Sequence, residues 1–302
     1  MKTSLCAVLG LVLAAVLSAG AAVEPTTGAD YVKTIETWRA QRVQRLTAPD
    51  GWLTLIGLHF LKPGANTIGT APGNSVVLSQ GPAHFGTVVL GADGKVTLTL
   101  NPAAGAFIDG QSRFSAELDE GRQGRPTLVS CGSVSFFVID RGGRKALRVK
   151  DRESERRTHF LGVDYFAIDP SWRIEARWVP FAHPREIPVK NVLGQESPAL
   201  VLGKAVFERA GHTYELLPIQ EAPDEPFFFV IADLTSGDQT YAAGRFLYAD
   251  PPQGGKLVLD FNRAQNPPCA FTPFATCPLP PKENRLPLAV TAGEKRYRGA
   301  YE

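Results

Sequence analysis

Pro267, Pro268, Pro273, Pro278, Pro280, Pro281 and Pro287 crowd residues 259–287, so neither a helix nor a central strand can run through that segment. Proline lacks a backbone N–H and fixes φ, so the segment is expected to be a rigid, ordered loop. The rest of the chain is punctuated in the same way. Gly 29 and Pro 24 stand between short apolar runs, a distribution that suits many short strands better than long helices. The fold class that follows is mainly β: antiparallel strands in one or two packed sandwich- or barrel-like modules, with one N-terminal helix.

That helix is expected to start near Asp30, whose carboxylate can cap the first N–H groups. Val32, Ile35 and Trp38 share a face, Val43 and Leu46 continue it, and Thr47-Ala48-Pro49-Asp50-Gly51 ends it. Arg39, Arg42 and Arg45 read as a solvated side. Beyond the helix, Thr87-Val88-Val89-Leu90 and Val96-Thr97-Leu98-Thr99-Leu100 flank Gly91-Ala92-Asp93-Gly94, a hairpin signal. Residues 133–140 and 145–149 flank Arg141-Gly142-Gly143-Arg144, a second hairpin. The run of Asp151, Arg152, Glu153, Glu155, Arg156 and Arg157 alternates in sign and reads as a linker or a short solvated helical turn. It places a soft boundary between a module at 23–150 and a C-terminal β module at 151–302. Strands are expected at 172–179, 205–208, 213–217, 227–232, 245–248 and 257–261.

Residues 1–22 have the form of a secretory signal: Lys2, an apolar run from Leu5 to Leu17, and small residues from Ser18 to Ala22. The expectation is export to the periplasm or the extracellular space, with no membrane span in the mature chain. A net charge of +2 gives no reason to propose a nucleic-acid partner. No cofactor and no metal is expected, because His59, His84, His159, His183 and His212 are isolated from one another and no phosphate loop or His-Glu-x-x-His motif is present.

In an oxidising compartment the first expectation for Cys269 and Cys277 is a disulfide. Two buried thiols, a metal ligand pair and a reactive thiol are the alternatives. Cys131 reads as a buried spectator. Asp260 and Asn262 share strand parity and leave the last strand just before the proline block. Arg245, Arg263 and Arg285 can hold an anion by forked hydrogen bonds, Asn262, Asn266 and Asn284 can orient it, and Asp260 or Glu283 can act as acid or base. The competing reading makes Arg245 or Arg263 the ion-pair partner of Asp260, pinning the loop.

The residues Gly244-Arg245-Phe246-Leu247-Tyr248, Leu259 through Asn266, Pro267-Pro268-Cys269-Ala270-Phe271-Thr272 and Ala275-Thr276-Cys277-Pro278-Leu279-Pro280-Pro281 resemble the family catalogued as domain of unknown function 1684. Glu283-Asn284-Arg285-Leu286, Trp38-Arg39, Gly51-Trp52-Leu53-Thr54-Leu55 and Arg148-Val149-Lys150-Asp151 are similar to further motifs of that family. Where the family has Ala-Tyr-Asn, this chain has Ala264-Gln265-Asn266. The resemblance implies a shared C-terminal site and supplies no activity. Separately, Gly69 to Gly86, with Asn74 and His84, has some likeness to a forkhead-associated domain. The phosphate-reading Arg and Ser are missing, so phosphopeptide binding is not inferred.

The leading functional expectation is an exported protein that binds a small polar or anionic ligand in a cleft built by the Pro/Cys loop. Two alternatives stand beside it: a carboxylate-dependent hydrolase or lyase, and a structural or interaction protein in which the loop is a fold clasp.

Overall fold

The computed structural model describes residues 28–121, 124–219 and 225–299. The expected signal sequence at 1–22 lies outside the described residues. The protein is mainly β and its strand pairs are antiparallel, apart from one short parallel pair and isolated bridges.

Helix α1 spans Gly28–Thr47. Its buried positions are Tyr31, Ile35, Arg42 and Leu46, a stripe at helical spacing. Two polar residues therefore lie on the face that packs. Arg42 is buried against Glu294 and the half-buried Arg39 donates to the Phe166 carbonyl at 2.9 Å, whereas Arg45 is exposed. The solvated-side reading holds only for Arg45. Arg39 and Arg42 turn inward because the loop they meet offers carbonyl and carboxylate acceptors.

Ten strands follow. They are β1 (Leu55–Phe60), β2 (Gly64–Gly69), β3 (Val76–Val77), β4 (Gly86–Leu90), β5 (Val96–Leu100), β6 (Phe107–Ile108), β7 (Ser115–Glu117), β8 (Val129–Cys131), β9 (Val134–Arg141) and β10 (Arg144–Asp151). They form two five-stranded sheets, in the orders β1-β10-β9-β8-β6 and β3-β2-β4-β5-β7. Val88 and Leu98 from one sheet meet Phe136, Leu147 and Val149 from the other, giving a sandwich core. Both expected hairpins are present, β4 with β5 and β9 with β10. The charged run after Asp151 forms the short helix α2 (Glu155–Thr158).

The remaining strands are β11 (Arg173–Lys190), β12 (Glu196–Arg209), β13 (His212–Leu216), β14 (Phe227–Ile231), β15 (Arg245–Ala249) and β16 (Lys256–Asp260). Their sheets run β13-β12-β11-β16 and β14-β15. The β11–β12 ribbon is far longer than the expected strands at 172–179 and 205–208. Pro180, Pro184 and Pro188 sit within β11, and the register slips between Pro180 and Arg185. Proline forfeits ladder hydrogen bonds, and a slip of this kind lets an extended ribbon tolerate it.

Strand β14 is buried along its whole length. Phe227, Phe229 and Ile231 enter a core with Trp172, Leu259 and Phe261. Phe228 and Val230 enter another with Cys269, Ala275 and Cys277. The proline block covers this second face. It is built from 3-10 turns at Phe261–Arg263, Pro268–Ala270 and Lys282–Asn284. Leu279 N donates to the Lys190 carbonyl at 2.7 Å, and Val192 N to the Cys277 carbonyl at 3.0 Å. Among the described residues, no helix is long and apolar enough to cross a membrane.

Candidate functional site

The charged and amide residues of the C-terminal segment fall into two internal networks, one capped loop contact and an exposed edge. In the first network, the Tyr31 hydroxyl donates to Asp260 Oδ1 at 2.7 Å. Asn262 Nδ2 donates to the Tyr31 oxygen at 2.9 Å and to the Asp169 carbonyl at 2.8 Å. Arg263 Nε stands 3.5 Å from Asp260 Oδ2, with its side chain partly exposed. Burial first, then the hydrogen bond to Asp260, pushes the Tyr31 phenol well above its ordinary range.

The second network centres on Arg245 and Glu294, both 0% exposed. Arg245 Nη2 donates to Asp233 Oδ2 at 2.8 Å and to the Val290 carbonyl at 3.0 Å, while Nη1 donates to the Ala292 carbonyl. Its ion-pair partner is therefore Asp233 and not Asp260. Glu294 accepts from Arg42 Nε at 2.9 Å and from Asn266 N at 2.7 Å. Asn266 Nδ2 donates to the Lys295 carbonyl at 2.8 Å. Gly293, at φ 80°, makes this approach possible: a Cβ there would stand 2.4 Å from the Ala264 carbonyl oxygen.

Asn284 is fully buried and exchanges hydrogen bonds with the backbone of Leu217, at 2.7 and 2.8 Å. Glu283 and Arg285 are exposed, and Glu283 lies 3.9 Å from Lys282 Nζ. The residues expected to line one cleft are thus mostly engaged by the chain itself. Asp260, Asn262 and Arg263 come together, as do Arg245 and Asn266, while Asn284, Glu283 and Arg285 join neither group.

Cys269 and Cys277 are not joined by a disulfide; both stand as thiols. The expected bond is corrected by the local geometry. Cys277 Sγ accepts from the Cys269 backbone N–H at 3.2 Å, and the two side chains share a hydrogen bond. That hydrogen bond, and then burial, push the Cys277 thiol up. Tyr241 donates to the Cys269 carbonyl at 2.9 Å. Cys131 is only partly buried, and its thiol donates to the Ala104 carbonyl at 3.2 Å. Among the described residues, no three His, Cys, Asp or Glu side chains converge as a metal-binding group.

A third group of polar residues lies where the sandwich meets the loop. Along β10, Leu147 and Val149 point into the sandwich core, so Arg148 takes the opposite face by strand alternation. That face is covered. The Arg148 guanidinium lies 5.1 Å from the centre of the Trp52 ring, and Trp52 packs against the cluster holding Cys269 and Cys277. Arg148 is 7% exposed and, among the described residues, makes no hydrogen bond or ion pair; its Nε is buried without an acceptor. Burial, and then the Arg141 charge, lower its pKa to about 10, with Cys277 acting slightly the other way. Arg141 Nε donates to Thr276 Oγ1 at 2.9 Å. Arg156, its Nε also buried without an acceptor, lies over Phe274 at 5.6 Å. Lys150 donates to the Asp50 carbonyl at 2.6 Å, and its pKa is lowered first by burial.

Sequence reasoning passed over these residues, although Arg148 interrupts the apolar run Ala146-Leu147-Arg148-Val149. Polar chemistry inside an otherwise buried strand is the signal that was available. Arg148 meets indole and thiol groups here, with Arg141 and Lys150 on either side of it along the β9–β10 ribbon.

Comparison with known proteins gives relatives of unknown activity. The family described as protein of unknown function, DUF1684, matches residues 158–295. The solution structure of an uncharacterised protein from gene locus rrnAC0354 of Haloarcula marismortui is 33% identical, with a TM-score of 0.39. That match covers 46% of this chain and 78% of the other. A crystal structure of Rad53 residues 1–466 with AMP-PNP is 14% identical, with a TM-score of 0.20, covering 66% of this chain and 47% of that one. No curated protein matches the chain. The cysteine–proline block and the strands around it lie inside the matched segment, and the chain belongs to the DUF1684 family.

Proposed function

We propose that this is an exported protein that binds a small anionic ligand at the seam between the N-terminal sandwich and the Pro/Cys loop. The observation that carries the reading is Arg148, a 7% exposed residue whose buried Nε has no acceptor and whose guanidinium has no carboxylate partner among the described residues. A buried charge without compensation costs several kcal/mol, so a fold that keeps one is supported by an ion that arrives from outside. Arg141 and Lys150 add positive charge within electrostatic reach. The loop supplies Thr276, Phe274 and Cys277 as the facing wall.

The hydrolase or lyase reading has less support. Asp260 is held by Tyr31, and Glu283 stands exposed. The clasp reading is compatible with ligand binding, because Arg245 and Asn284 hold the loop while Arg148 remains available to a ligand.

The test compares the unfolding midpoint of the full chain with that of Arg148→Met, in acetate, sulfate and phosphate at constant ionic strength. An anion held at 100 times its Kd adds about 2.7 kcal/mol. That is about 4–5 °C for a chain of this size. The shift is expected in wild type and absent from Arg148→Met. If every anion acts equally on both proteins, the proposal fails. Export is checked by sequencing the N-terminus of secreted material, which is expected to begin after Ala21 or Ala22.

A further inference from the structure

We propose that Cys269 and Cys277 form a two-sulfur site for a soft monovalent metal ion of the Cu(I) class. This goes beyond the anion reading above and uses different donors. Of the alternatives to a disulfide, the metal-ligand pair is the one that the geometry of the loop fits. Cys277 Sγ lies 3.2 Å from the Cys269 backbone nitrogen, and the two thiols share a hydrogen bond. A proton held between two sulfurs marks a place that a monovalent soft cation can take. When the ion enters, both thiols lose their protons to solvent and two metal–sulfur bonds form. The complex then carries one net negative charge, and nothing is oxidised or reduced.

The donor count selects the ion class. Among the described residues, no third His, Cys, Asp or Glu joins the pair as a metal-binding group. Zn(II) in a structural site takes four ligands and hard cations take oxygen donors, whereas a soft d10 monovalent ion is satisfied by two thiolates. The surroundings are dry. Both cysteines are 5% exposed and sit among Val189, Ile219, Phe228, Val230 and Phe246. Such an apolar shell excludes the water that would otherwise compete for the metal. The two sulfurs are also held in place. Cys269 lies in the 3-10 turn Pro268–Ala270 and its carbonyl accepts from the Tyr241 hydroxyl at 2.9 Å. The Cys277 carbonyl accepts from Val192 N at 3.0 Å, and Pro278 fixes φ directly after it. The Cys269 N–H remains aimed at Cys277 Sγ, an outer hydrogen bond that favours the thiolate. Trp52, which packs on this cluster, has the Arg148 guanidinium 5.1 Å from its ring centre, so positive charge lies on the same side of the loop as the negative complex.

The test titrates the full chain, reduced and under nitrogen, into Cu(I) presented as its coloured bicinchoninate complex. Loss of colour is expected to show one Cu(I) passing to each wild-type chain. Cys6→Ser and Cys131→Ser, at the other two cysteines, are expected to change nothing. Cys269→Ser and Cys277→Ser are each expected to lose more than the roughly 10–100-fold in affinity that removal of an outer-shell partner costs. Zn(II) is expected to leave bound Cu(I) in place. Because a serine in this core can unsettle the fold, a second measurement uses wild type alone. X-ray absorption at the copper edge is expected to show two sulfur neighbours and no nitrogen or oxygen. No transfer to the wild-type chain, undiminished transfer to the Cys269→Ser/Cys277→Ser double variant, displacement by Zn(II), or three or more neighbours around copper overturns this inference. The anion-dependent shift at Arg148 is read in metal-free protein, so either proposal can fail while the other stands.

Discussion

Arg245 and Arg148 are both buried arginines, and their surroundings set opposite expectations for removing them. Arg245 is paired with Asp233 and ties down the carbonyls of Val290 and Ala292. Arg245→Met strands Asp233 in the interior and is expected to cost about 3–5 kcal/mol. Denaturant unfolding checks this through a lowered midpoint at an unchanged slope. Arg148→Met strands nothing, and the midpoint in ligand-free buffer is expected to hold or to rise. His59 gives a pH prediction at the same scale. Burial alone lowers its pKa below the usual 6.5. Below about pH 6.5 the unfolded chain takes up a proton that the folded chain refuses. Stability is therefore expected to fall as pH drops from 6.5 toward the folded pKa and then to level off. His59→Gln is expected to flatten that part of a Tm-against-pH profile.

At the scale of elements, helix α1 depends on two polar anchors, Tyr31 on Asp260 and Arg42 on Glu294. Arg42→Met leaves the Glu294 carboxylate buried without its charge partner, and is expected to cost about 3–5 kcal/mol. Far-UV circular dichroism along the thermal transition checks it, and a loss under about 1 kcal/mol counts against this account of the docking. The helix itself was readable from the spacing of Ile35 and Leu46. The inward turn of Arg42 was not readable, because helical periodicity ranks residues by polarity and cannot register an acceptor arriving from residue 294. The β4–β5 and β9–β10 hairpins were readable because Gly-rich turns enforce them locally. The β11–β12 ribbon was not, because prolines that argue against a central strand are tolerated where the register slips.

At the scale of the whole molecule, the proline block joins the parts. Thr272 Oγ1 donates to the Leu55 carbonyl at 3.1 Å, and Arg141 reaches Thr276. Leu46 and Leu53 pack with Ala270 and Phe271. We propose that residues 23–150 and 151–302, whatever their separate cores, unfold together because the loop holds both. Trp52 reports the seam against the loop and Trp172 and Trp178 the C-terminal core, so single-tryptophan variants followed by fluorescence are expected to share one midpoint with far-UV circular dichroism of the whole chain. Two separated midpoints count against it.

The sequence by itself determined the fold class, the N-terminal helix, the short hairpins and the exclusion of α-helix and strand from the described segment after Asp260. Each of these follows from φ restrictions and apolar spacing within a few residues. Only the tertiary structure decided which charged groups are spent and which are left over. Arg245 and Asn284 looked available and are engaged by Asp233 and Leu217, 12 and 67 residues away. Arg148 looked like one more strand residue and keeps a buried Nε without an acceptor. Whether a buried polar group is satisfied depends on what packs over it, and that is fixed by tertiary contacts and not by immediate neighbours in sequence.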